Sequence, residues 1–165
     1  MNVAEHIVRT VTETRAERPG VHASILWVWC DEPITLLLCN GLTPEHWPGL
    51  AVGLAARLPA PVNGVAVSAE AFAMLDAPPE MTDLAPGDLA ELSMFDERIV
   101  SVIQVQSWTP ADGFSTTICP FVVADDGRGV FDPERVLSTA VPSSAAQTAG
   151  DPWHETVAAV YATLL

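Results

Sequence analysis

The runs RIVSVIQVQSW (98–108) and FSTTICPFVVA (114–124), joined by TPADG (109–113), form the block of sequence from which the fold can be read. Both runs are rich in Val, Ile, Thr and aromatic residues, the side chains that fit a pleated, half-buried surface. A short connection containing Pro110 and Gly113 is what an antiparallel hairpin needs. The block therefore predicts a sheet grown from hairpins rather than from parallel strand–helix–strand units.

Towards the C-terminus, Asp125-Asp126-Gly127 turns the chain into a short Gly129–Phe131 segment. Residues 138–150 are mostly Ser, Thr and Ala with Pro142 and read as a flexible linker. Beyond it, Asp151 is suited to cap a helix and Pro152 to start it. Trp153, Val157, Val160, Tyr161 and Leu164 then fall on one face of an amphipathic helix over 151–165, expected to pack on the domain or on a partner.

Towards the N-terminus, residues 75–97 carry seven acids, three prolines and no basic residue, and predict a surface excursion with one helical turn near Asp88 to Met94. Before it, Asn63-Gly64 leads into Val65–Met74, an apolar run of strand length. Thr43 as cap, Pro44 and the stripe Trp47, Leu50, Leu54 and Leu58 predict a helix that ends at Pro59. His22–Asp31 and Ile34–Cys39, separated by Glu32-Pro33, read as another hairpin. Residues 2–18 place Val3, Ile7 and Val11 at helical spacing until Pro19-Gly20 stops the pattern. The predicted order is α-β-β-α-β-β-β-α. It describes one α+β domain over 1–137, with a mostly antiparallel sheet of about five strands and three helices, followed by the linker and terminal helix.

Composition narrows the function classes. The 165 residues include 21 acids against seven arginines and no lysine, a formal net charge of −14, which opposes non-specific binding to phosphate backbones. The first helix balances its own charges, so the whole excess lies beyond it. Arginine without lysine, with 14 prolines and abundant alanine, points to a high-GC source such as an actinobacterium or one of its phages. The start lacks the basic residues and apolar run of a secretory signal, and a cytoplasmic or virion location is expected. The one stretch approaching membrane length, Val21–Cys39, is broken by Asp31, Glu32 and Pro33, with each charge costing about 2.5–3.5 kcal/mol in a bilayer centre. No membrane and no direct nucleic-acid partner is expected.

Catalytic signatures are missing. Cys30, Cys39 and Cys119 are too few and too irregular for a disulfide or zinc framework, and His6, His22, His46 and His154 stand singly. No metal or other cofactor is expected. Cys30 with His22 and Asp31, and Cys119 with His154, can be written as nucleophile pairs, but neither thiol has an activating motif beside it. Glu70, inside Val67–Phe72, is a lone carboxylate that strand alternation places with Ser68 and Phe72; a solvated strand face accounts for it without chemistry.

Two features point to protein contacts. In Ile25–Cys30, alternation puts Trp27 and Trp29 on one face and Leu26, Val28 and Cys30 on the other, so both faces need cover. A core strand is one reading. A Trp face meeting another protein or a second copy is the other, and the terminal helix with Trp153 and Tyr161 could supply the cover in cis or in trans. The excursion interleaves Asp83, Asp88 and Glu91 with apolar residues such as Phe95, a pattern able to dock on a basic, partly apolar groove.

Gly64–Phe72, the acidic segment after it, and the hairpin that ends near Asp125-Asp126-Gly127-Arg128 resemble a group of uncharacterised small proteins of actinobacteria and their phages. In those a strand ending in Glu-Ala-Trp, here Glu70-Ala71-Phe72, precedes a variable segment and a strand pair. The resemblance implies source and fold but no activity. The leading expectation is a non-enzymatic accessory or assembly protein that binds a protein partner or itself. The alternatives are an acidic DNA mimic that inhibits a host DNA-binding protein, its excursion acids aligned with Asp112, Asp125 and Asp126, and a small enzyme using Glu70 or a cysteine.

Overall fold

The computed structural model describes residues 2–30, 35–38, 46–58, 62–74, 91–141 and Ala159. Helix α1 spans Val3–Glu17; Asn2 caps it by accepting the Ala4 amide at 2.9 Å, and the chain leaves at Pro19-Gly20, where Gly20 has a φ of 103°. Ile7, Val11 and Arg15, four residues apart, form its buried stripe. Strands β1 (Ile25–Trp29) and β2 (Thr35–Leu38) pair antiparallel, and helix α2 follows at Trp47–Ala55. It starts later than the sequence predicts. His46 is its N-cap, without a side-chain cap bond, and Pro48 sits in its first turn; the expected cap Thr43 and Pro44 lie outside the described residues.

Three long strands, β3 (Gly64–Met74), β4 (Ile99–Thr109) and β5 (Gly113–Val123), make the centre of the sheet. The β4–β5 hairpin forms where expected: Thr109 pairs with Gly113, and the Thr109 Oγ1 accepts the Asp112 amide at 3.0 Å across the turn. β6 (Gly129–Phe131) and β7 (Leu137–Val141) both pair with β5 along its outer side, separated by a 3-10 turn at Pro133–Arg135. The order is β2-β1-β3-β4-β5-β6, with every pairing antiparallel and β7 continuing the line of β6.

An α+β fold with an antiparallel sheet is what the sequence predicts, but the sheet has six strand positions rather than five. The sixth is the interrupted β6–β7 edge. Three residues are too few to show alternation in β6, and Ser138, Thr139 and Ala140 of β7 have the composition of the linker to which the sequence reading assigned them. An edge strand lying against solvent needs no apolar stripe. The remainder of that linker and the third helix lie outside the described residues. Within the excursion, a helical turn at Glu91–Leu92 is described, closed by the Asp96 amide donating to the Leu92 carbonyl at 2.8 Å.

The two sheet faces carry separate cores. Leu26, Val28, Val65, Val67 and Trp108 meet Trp47 and Ala51 of α2 on one face. Trp27, Trp29, Ala66, Ile103, Val105, Cys119 and Phe121 meet Ile7 and Val11 of α1 on the other. β1 is therefore an internal strand with apolar side chains on both faces, and α1 is the cover over its tryptophans.

Candidate functional site

On β3, alternation aims Ser68 and Glu70 at α1, the same side as Ala66. This corrects the reading of that face as solvated at Glu70. Glu70 is largely buried, and its Oε2 accepts two hydrogen bonds: from Arg15 Nε at 3.0 Å and from the His22 backbone amide at 2.8 Å. Arg15, 4% exposed, also donates from Nη1 to the Gly127 carbonyl at 2.7 Å and lies over the Phe121 ring, 5.0 Å from its centroid. Gly127 presents that carbonyl from a turn with a φ of 81°, which glycine adopts without a Cβ penalty.

A second chain of bonds lies beside the first. Trp27 Nε1 donates to Ser68 Oγ at 3.0 Å, and the same hydroxyl is 3.1 Å from His22 Nε2. An indole N–H can only donate, so Ser68 accepts it and still satisfies the imidazole in either direction. Burial pushes the His22 pKa below its ordinary value, with the Arg15 charge acting the same way and the Glu70 carboxylate opposing. His22 is thus held neutral against Ser68.

A serine, a histidine and a glutamate in contact invite comparison with a nucleophilic triad, but the geometry differs. Glu70 binds the His22 backbone amide and not its ring, so it does not orient the imidazole. Ser68 is 0% exposed and tied to an indole, with no path for its oxygen to reach a substrate. What the arrangement does is join α1, the segment before β1, β3 and the turn before β6. A crevice of about 200 Å³ lies beside it, lined by Thr14, Arg18, Pro19 and His22 among others. A larger open hollow, about 510 Å³, lies at the β4–β5 hairpin end between Asn2, Val3, Trp29 and Asp112. Asp112 is the one ionisable side chain lining it, so it holds no acid–base pair.

The thiols are no better placed for chemistry. Cys30 and Cys119 are buried, and burial raises the Cys119 pKa, away from the thiolate that reacts. β1 stands between His22 and Cys30. Cys39, Asp31 and His154 lie outside the described residues. Among the described residues no three His, Cys, Asp or Glu side chains gather to hold a metal ion, and no helix is long and apolar enough to cross a membrane.

The residues singled out for protein contact divide sharply. Trp27 and Trp29 are buried beneath α1, which removes them from any surface of this fold. Glu91 is exposed, and Phe95 is 85% exposed. Asp83, Asp88, Trp153 and Tyr161 lie outside the described residues. Asp112 and the pair Asp125 and Asp126 stand at opposite ends of β5, about 30 Å apart at strand rise, so they do not share one line of phosphate-like spacing.

Sequence reasoning missed a surface at the Asp125–Asp126 end. Val122 and Val130 pair directly across β5 and β6, and they are 67% and 60% exposed. Val123 is exposed beside them, and Met94 and Phe95 project from the turn that leads into β4 at that end of the sheet. The signal available was Val122-Val123 running straight into a charged turn, with no polar residue on either face. No protein family, curated protein or solved structure matches the chain.

Proposed function

We propose that this chain is a non-enzymatic accessory or assembly protein that binds another protein through the end of its sheet carrying Val122 and Val130. The observation that carries the reading is their direct pairing with both side chains open to solvent. Met94, Phe95 and Val123 enlarge the apolar area, and Glu97, Asp125 and Asp126 rim it with acids. Exposed aliphatic and aromatic side chains with a charged border are the usual anatomy of an interaction surface. The partner that suits it has an apolar centre and a basic border, because like charges across an interface oppose binding. The buried Ser68, the thiols held in the core and the engaged Glu70 supply no reacting group, which favours binding over catalysis. The arginine-only basic composition supports an actinobacterial or phage source and hence a partner from such a cell.

The test is affinity capture from an actinobacterial lysate with three proteins: the wild type, Val122→Asp/Val130→Asp and the control Val21→Asp. Val21 is equally open but precedes β1, away from the Val122 surface. The reading requires a basic protein retained by wild type and control and lost from the double variant. Capture that is absent, or indifferent to Val122 and Val130, overturns it.

A further inference from the structure

The face of the sheet that bears α2 is covered further than α2 reaches. Val65 and Val67 of β3 and Trp108 of β4 belong to the α2 core, so alternation places Ala69 and Val102 on that same face. Both are buried, Val102 to 1% exposure, and neither belongs to the core under α2 or the core under α1. A valine on an open sheet face keeps much of its surface, as Val122 does on the neighbouring strand. Helix α2 is nine residues long, about 13 Å, and packs against β1. Among the described residues, no other helix lies on this side. The cover over Val102 therefore comes from chain outside the described residues.

We propose that residues 151–165 form that cover, packing as a helix across β3, β4 and β5 with Trp153, Val157, Val160 and Leu164 turned to the sheet. Helical spacing gathers these four into one stripe and leaves Asp151 and Glu155 off it. Ala159, the described residue of this stretch, is helical and half-buried. The other long candidate, 75–90, meets the requirement poorly: Pro78, Pro79 and Pro86 forbid a continuous helix, and Asp76, Glu80, Asp83 and Asp88 break up its apolar residues. Reach is sufficient. Val141 pairs with Phe114 on the outer side of β5, and residues 142–150 can extend about 30 Å, several strand spacings. The fold then has two helices side by side on the α2 face and one on the other.

The experiment is a methyl-selective NMR measurement on the full chain, with Val and Leu methyls labelled and assigned through Val102→Ile and Val157→Ile. Nuclear Overhauser contacts from the Val102 methyls to Trp153, Val157, Val160 or Leu164 are expected. They should be absent between differently labelled molecules in a mixed sample. Contacts only between molecules, contacts to Met81, Leu84 or Leu89 instead, or none to either segment each overturn the proposal. As a second readout, Val157→Asp/Val160→Asp should shift the Val102 methyl resonances and lower the unfolding midpoint, whereas Glu155→Gln should do neither. An unchanged Val102 signal in the folded double variant also counts against it.

Discussion

Arg15 of α1 and Glu70 of β3 meet at 3.0 Å across 55 residues of sequence, in an interior where each has further partners to satisfy it. Breaking such a pair from one side strands the other charge, at about 3–5 kcal/mol, whereas replacing both by apolar groups of similar volume can cost little. Arg15→Met is therefore expected to lower the urea midpoint strongly. Arg15→Met/Glu70→Leu should recover part of the loss. A double variant that loses the sum of the two single losses would show that the pair is not coupled.

The neutral state of His22 ties stability to pH. Its folded pKa lies below the ordinary value of 6.5, so as pH falls from about 6.5 towards the folded value the unfolded chain binds a proton that the folded chain refuses. Stability contributed by this group is complete above that window and is lost as pH falls through it. Urea midpoints at pH 7.5 and 5.5 should differ more for the wild type than for His22→Gln. Equal pH dependence in the two would assign the effect to other groups.

Gly64 opens β3 against the face of the Trp29 indole. A methyl group at residue 64 would fall within that ring, and Trp29 is buried with little room to shift. Gly64→Ala should destabilise by at least the 1–3 kcal/mol typical of overpacking, read as a lower thermal midpoint with a changed Trp29 fluorescence environment. A silent substitution would mean that the indole turns aside freely.

Asp96 closes a short loop against Arg98. The Arg98 side chain donates to both carboxylate oxygens and its backbone amide to Oδ1, and together these hold the Asp96 pKa down to about 2 from 3.8, the side-chain bonds contributing most. A carbon-detected NMR titration should place the Asp96 midpoint there, and Arg98→Gln should return it towards 3.8. Both groups are open to solvent, so global stability should hardly respond.

How much of this was legible beforehand depends on whether a residue's role is local. The two faces of β1 follow from a period of two, and the structure sorts Trp27 and Trp29 from Leu26 and Val28 as that period requires. Asp112 and Thr109 likewise close the hairpin expected between the two long runs. The partner of Glu70 is a tertiary matter. Arg15 reads as one more charge on a surface helix, yet it continues the stripe Ile7 and Val11 at the same four-residue spacing, which was the available hint. β7 stayed hidden because its strand character comes from pairing with β5 and not from its own side chains.

The break between β6 and β7 bears on how these molecules behave when crowded. Asp132 accepts the Glu134 amide at 3.0 Å and starts a 3-10 turn in the middle of the outer edge, with Pro133 offering no amide of its own. An incoming strand finds three residues of ladder, then a bend, then a new start. Sheets of neighbouring molecules are thereby kept from fusing along this side into fibrils. A protein so built can leave aliphatic side chains open for recognition while its main chain stays closed to polymerisation.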